Sequence, residues 1–67
     1  MSNWQSNPIE VEGFEIRVDA GANGVDLGKV LSGVYASDLL LTPEQAIELA
    51  EALTTGAAKC FAARGEV

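Results

Sequence analysis

The sequence predicts an α+β fold: a small antiparallel sheet of two to four strands covered by one C-terminal amphipathic helix. Three observations carry this prediction. Apolar and polar residues alternate between residues 9 and 18, which is the period of a half-buried strand. The segment DAGANG at residues 19–24 gathers turn formers ahead of a second apolar stretch, as a hairpin requires. From Thr42 onward apolar residues recur every three or four positions, the spacing of one helix face.

In chain order, residues 1–8 are polar and without period, and Asn7-Pro8 marks a turn. They are expected to form a flexible arm, with Trp4 pinned on the body or free to meet a partner. Residues 9–67 are expected to form a single sheet-plus-helix domain. Ile9 and Val11, then Phe14, Ile16 and Val18, make the first alternating set, with Glu10, Glu12, Glu15 and Arg17 between or beside them. The alternation changes phase at Gly13, so a bulge or turn is expected there, because one extra residue otherwise moves the apolar set to the opposite face. Asn23-Gly24 is expected to supply the positive φ angles of a tight turn. A second strand follows from Val25 to about Leu31. Ser32-Gly33 is a weaker turn signal, and residues 34–41 read equally as a third strand or as the second one continuing past a bulge.

Thr42 is the expected helix N-cap. Pro43 stands at the first helical position, where its missing N–H costs nothing, and Gln45 completes a capping box. Downstream, Ala46, Leu49, Ala50, Leu53, Ala57, Cys60 and Phe61 share one stripe, opposite Glu44, Glu48, Glu51, Thr55 and Lys59. The helix is expected to reach about Ala63, with Arg64 near its negative end and Gly65 terminating it. Phe14 and Phe61 are expected to join sheet to helix in the core, with Cys60 as a small core residue beside them.

The chain has 67 residues, and a sheet-plus-helix of that size has little core of its own to offset the entropy of ordering. One cysteine and no histidine leave neither an intrachain disulfide nor a zinc ligand set to add stability. Self-association remains, and a homodimer through a strand edge or through the helix is expected. Ten acidic residues face four basic ones, for a net charge of −6. That balance argues against nucleic acid and anionic membranes as direct partners, since both are held by Lys/Arg patches. A charged partner should be basic. No leader-like segment and no apolar run near the roughly 20 residues of a membrane span is present, so the expected compartment is the cytoplasm.

Paired carboxylates for acid/base chemistry would have to come from Asp19, Asp26 and Asp38, which read more simply as turn and surface acids. Residues 19–30 match a calcium loop at Asp19, Asn23 and Gly24, but Gly21 and Val30 occupy places that need oxygen ligands. Gly21, Gly24 and Gly28 do not form a phosphate-binding motif. Cys60 has no histidine to act as its base. The sequence therefore predicts no enzyme, with no catalytic, cofactor-binding or metal-binding residue and no cofactor. It predicts a small protein-interaction module that acts as a homo-oligomer on a protein partner. Trp4 and Tyr35 are the aromatic candidates for the contact surface. Glu44, Glu48 and Glu51, with Glu10, Glu12 and Glu15, form either solvated faces or an acidic surface that imitates nucleic acid and blocks a basic groove.

Residues 33–53, GVYASDLLLTPEQAIELAEAL, carry a resemblance. An apolar strand running into a Thr-Pro-Glu cap and an Ala/Leu/Glu-rich helix is similar to the tail of many short uncharacterised proteins of actinobacteria and their phages. The resemblance covers about a third of the chain. It implies a bacterial or phage origin, and it brings no activity and no catalytic residues with it.

Overall fold

The computed structural model describes residues 2–65. They form five antiparallel strands and one helix: β1 (Ser2–Gln5), β2 (Ile9–Val11), β3 (Phe14–Gly21), β4 (Gly24–Leu31), β5 (Val34–Leu41) and α1 (Pro43–Ala63). The sheet order is β1-β3-β4-β5, and β2 also pairs with β3. The α+β class of a sheet followed by one helix is thus as predicted, with one strand more than the upper expectation.

That extra strand is β1. Within the segment expected to be a flexible arm, Ser2–Gln5 is instead a strand, with Trp4 opposite Ala20 and Gln5 opposite Asp19. The reason lies in β3, which runs past the end of β2 and offers unpaired backbone groups along its edge. A short edge strand satisfies these through its own backbone, so its polar composition gives no alternation to read. Ser6 closes the gap between β1 and β2. Its N–H donates to the Val18 carbonyl at 2.8 Å, and Val18 N–H donates to Ser6 Oγ at 3.0 Å.

The predicted phase change at Gly13 is a two-residue turn. Glu12 (φ 48°) and Gly13 (φ 85°) both have positive φ, the mirror-image turn that matches strand twist, and Val11 pairs with Phe14 across it. Ser32 (φ 53°) and Gly33 (φ 80°) make a second such turn, so residues 25–41 form two strands. The turn between β3 and β4 differs from expectation. Its central residues are Ala22 and Asn23, neither of which has positive φ, and the unusual angle falls on Gly24 alone, at 139°. There the chain passes so close to the end of β5 that a Cβ on Gly24 would lie 2.5 Å from the Leu41 carbonyl oxygen.

Directly paired residues share a sheet face, so the register sorts the side chains. One face carries Ile9 and Val11 of β2, Phe14, Ile16 and Val18 of β3, Val25, Leu27 and Leu31 of β4, and Val34, Leu39 and Leu41 of β5. It is apolar except for Ser37 and Lys29, and the Lys29 ammonium sits 3.8 Å from the centroid of the Phe14 ring. The other face carries Glu10, Glu15, Arg17, Asp19, Asp26 and Asp38, with Gly28, Val30, Tyr35 and Leu40. A register shift after Lys29 places Ser37 opposite Lys29 and Tyr35 opposite Val30, leaving Ala36 as the bulged residue.

Helix α1 starts as the sequence predicts. Gln45 N–H donates to Thr42 Oγ1 at 3.1 Å, and Thr42 N–H donates to Gln45 Oε1 at 3.0 Å. At its end Arg64 N–H donates to the Cys60 carbonyl and Gly65 (φ 76°) to that of Ala62. The expectation that fails is that this helix covers the sheet. Among the described residues α1 meets only β4 and β5. Only Ala46 and Leu49 on it are half-buried, and every residue from 51 to 65 is exposed. Cys60 is therefore exposed rather than a core residue, and Phe61 is 48% exposed rather than joining sheet to helix. The physical cause is the junction. Thr42 alone separates β5 from α1, and its capping bonds fix the direction in which the helix leaves.

What remains of a core is small. Val30, at 2% exposure, is the fully buried apolar residue among those described. The molecule measures 43 × 30 × 17 Å with a radius of gyration of 13.9 Å, against about 11 Å for a compact chain of this length.

Candidate partner-binding surfaces

The polar sheet face is built by strand register. Glu10 of β2 lies directly opposite Glu15 of β3, and Asp19 of β3 lies directly opposite Asp26 of β4. Opposed like charges destabilise a sheet, so this face holds two unfavourable pairs, separated along β3 by Arg17. Asp38 of β5 pairs with Gly28 and so stands near Asp26 on the same face. Arg17 is the basic residue of this face. It donates through Nη2 to Glu15 Oε1 at 2.9 Å, a bond that pushes the guanidinium pKa further up. Among the described residues, none of Asp19, Asp26 and Asp38 meets a basic side chain. Desolvation first, then the charges of Asp38 and Asp19, hold the Asp26 carboxyl above its ordinary range. Asp19 Oδ1, Asp26 Oδ1 and Arg17 Nε are shielded from solvent without a hydrogen-bond partner.

Asp19 and Asp26 also line an open depression of about 330 Å³ beside the Ala22-Asn23 turn, with Gln5 and Leu40 on its rim. Among the described residues no group of three or more His, Cys, Asp or Glu side chains is placed to hold a metal ion, and no helix is long and apolar enough to cross a membrane.

The contact residues expected from sequence fall on separate parts of the molecule. Trp4, 57% exposed, lies on the apolar face at the β1 edge. Tyr35, 46% exposed, lies on the polar face of β5, at the opposite edge. Its ring rests on the bare backbone of Gly28, where an added Cβ would meet the ring at 2.5 Å. Glu44, Glu48 and Glu51 are exposed on α1, apart from the sheet acids, while Glu12 occupies a turn. Asp26 and Asp38, read from sequence as turn and surface acids, stand within strands. The signal for them was parity. Asp26 interrupts Val25 and Leu27, and Asp38 precedes Leu39, so each must face away from the apolar side.

The chain matches no family model, and no curated protein or solved structure matches it.

Proposed function

We propose that the protein is a small non-enzymatic interaction module that works as a homo-oligomer and docks a basic protein partner on the acidic face of its sheet. The observation that carries this reading is the two pairs of opposed carboxylates, Glu10 with Glu15 and Asp19 with Asp26. A sheet that served only its own stability would place opposite charges at these positions, whereas a cationic partner relieves the repulsion on binding. Charge complementarity of this kind speeds encounter and sets specificity, and it weakens as salt is added. The work would be done in the cytoplasm of a bacterium or of a phage-infected cell, as the resemblance over residues 33–53 suggests.

A second reading is an acidic inhibitor that imitates nucleic acid and blocks a basic nucleic-acid-binding protein. The excess of ten acids over four bases favours it, because carboxylates then lie on the helix as well as on the sheet.

Capture from a bacterial lysate tests both, at about 0.05 M and about 0.5 M salt, where screening lengths differ severalfold. The native protein should retain a basic partner at low salt and lose it at high salt. The triple variant Asp19→Asn, Asp26→Asn, Asp38→Asn should fail at both, while Glu44→Gln, Glu48→Gln, Glu51→Gln should still bind. Release of the captured protein by a double-stranded DNA fragment would favour the second reading. Salt-tolerant capture unaffected by the sheet-face variant would sink the charge-driven reading altogether.

A further inference from the structure

We infer that the homo-oligomer proposed above is a two-fold dimer in which the helix of each copy lies across the apolar sheet face of the other. The inference starts from area. The chain exposes 5311 Å², whereas a compact protein of 7.0 kDa exposes about 4,000 Å². The excess, about 1,300 Å² per chain, exceeds the roughly 800 Å² that each partner contributes to an ordinary complex. Doubled, it falls in the range of obligate homodimers.

Two parts of the exposed apolar surface fit each other. On the sheet, Ile9, Val34 and Leu39 are 54%, 67% and 52% exposed; on the helix, Leu53 and Phe61 are 66% and 48% exposed. The helix stripe that is half-buried at Ala46 and Leu49 continues, exposed, through Leu53, Ala57, Cys60 and Phe61. The protruding part, residues 51–63, is about 20 Å long. An eight-residue strand is about 27 Å long, so the sheet is long enough to seat it.

Other pairings leave one surface bare. Face-to-face packing of two sheets covers the sheet and not the stripe, helix against helix does the reverse, and joining at the β5 edge covers neither. A two-fold axis makes any contact of helix on sheet occur twice, so one arrangement covers both. A half-helix of this length is also marginal in water without tertiary contacts, and Gly56 within it weakens it further.

Thiol accessibility with light scattering tests the arrangement on folded protein. The chain should scatter as a particle of about twice 7.0 kDa. The native Cys60 thiol, on the helix stripe, should react with a disulfide reagent at least about 10-fold more slowly than a thiol placed on the solvent side by Glu51→Cys in a Cys60→Ser background. A thiol placed on the sheet face by Leu39→Cys in the same background should be protected likewise. A particle of 7.0 kDa would overturn the homo-oligomer itself. A dimer in which the thiol at 60 or the thiol at 39 reacts freely, or a particle of three or more copies, would overturn the reciprocal arrangement while leaving the homo-oligomer in place.

Discussion

Gly24→Ala should be among the most damaging single-methyl changes in the chain. At φ 139° Gly24 occupies backbone space that L-residues rarely enter, a strain of about 1 to 3 kcal/mol. The added methyl would also stand 2.5 Å from the Leu41 carbonyl oxygen. Because that neighbour is backbone, relief requires the end of β5 to move away from β4, where Val25 pairs with Leu41. Losing one ladder hydrogen bond adds about 1 kcal/mol. The expected total is about 3 kcal/mol, which for a domain of this size lowers Tm by about 12 to 24 °C. Gly13→Ala is the internal control. Its φ is also positive, at 85°, but nothing lies within 4 Å of an added Cβ, so left-handed strain alone remains, about 1 to 2 kcal/mol. Urea denaturation followed by far-UV circular dichroism at fixed protein concentration gives both differences. If the two alanine variants agree within about 0.5 kcal/mol, the close approach of the turn to β5 is not a feature of the folded protein.

Two further changes probe the helix cap and the acidic face. Thr42→Ala removes the acceptor for Gln45 N–H and should cost about 1 kcal/mol; an unchanged denaturation midpoint would place the helix start elsewhere. Asp26 has a carboxyl pKa raised above its ordinary 3.8, so the folded state holds this proton more tightly than the unfolded state does. The contribution of Asp26 to stability is therefore greatest below the ordinary value and is lost as pH rises through the raised one. Asp26→Asn should accordingly be more stable than the native protein at pH 7 and show a flatter decline in stability between about pH 4 and pH 7. Parallel pH profiles for the two proteins would mean that neither desolvation nor the neighbouring acids raise the Asp26 carboxyl.

Much of the fold was written locally. The Thr42-Gln45 capping box and the alternation from Phe14 to Val18 concern neighbours within one turn or one strand, and such short-range preferences survive into the structure unchanged. Two features were not legible for opposite reasons. β1 carries no alternation because its strand character comes from backbone groups that β3 leaves open, and those exist only once β3 has formed. The failure of α1 to cover the sheet depends on one junction residue setting an angle, and an amphipathic stripe marks an apolar face without specifying what lies against it. The acidic face was half visible. Glu10 and Glu15 were read as acids between apolar neighbours, but their direct opposition needed the Glu12-Gly13 turn to fix the register.

Both rims of the sheet are interrupted, one by the break between β1 and β2 that contains Pro8, the other by the bulged Ala36 in β5. A straight, unbroken rim would template the stacking of further chains into fibrils, and interruptions of this sort frustrate that growth. A chain with so much exposed aliphatic surface thereby lacks the continuous straight edge along which cross-β stacking propagates.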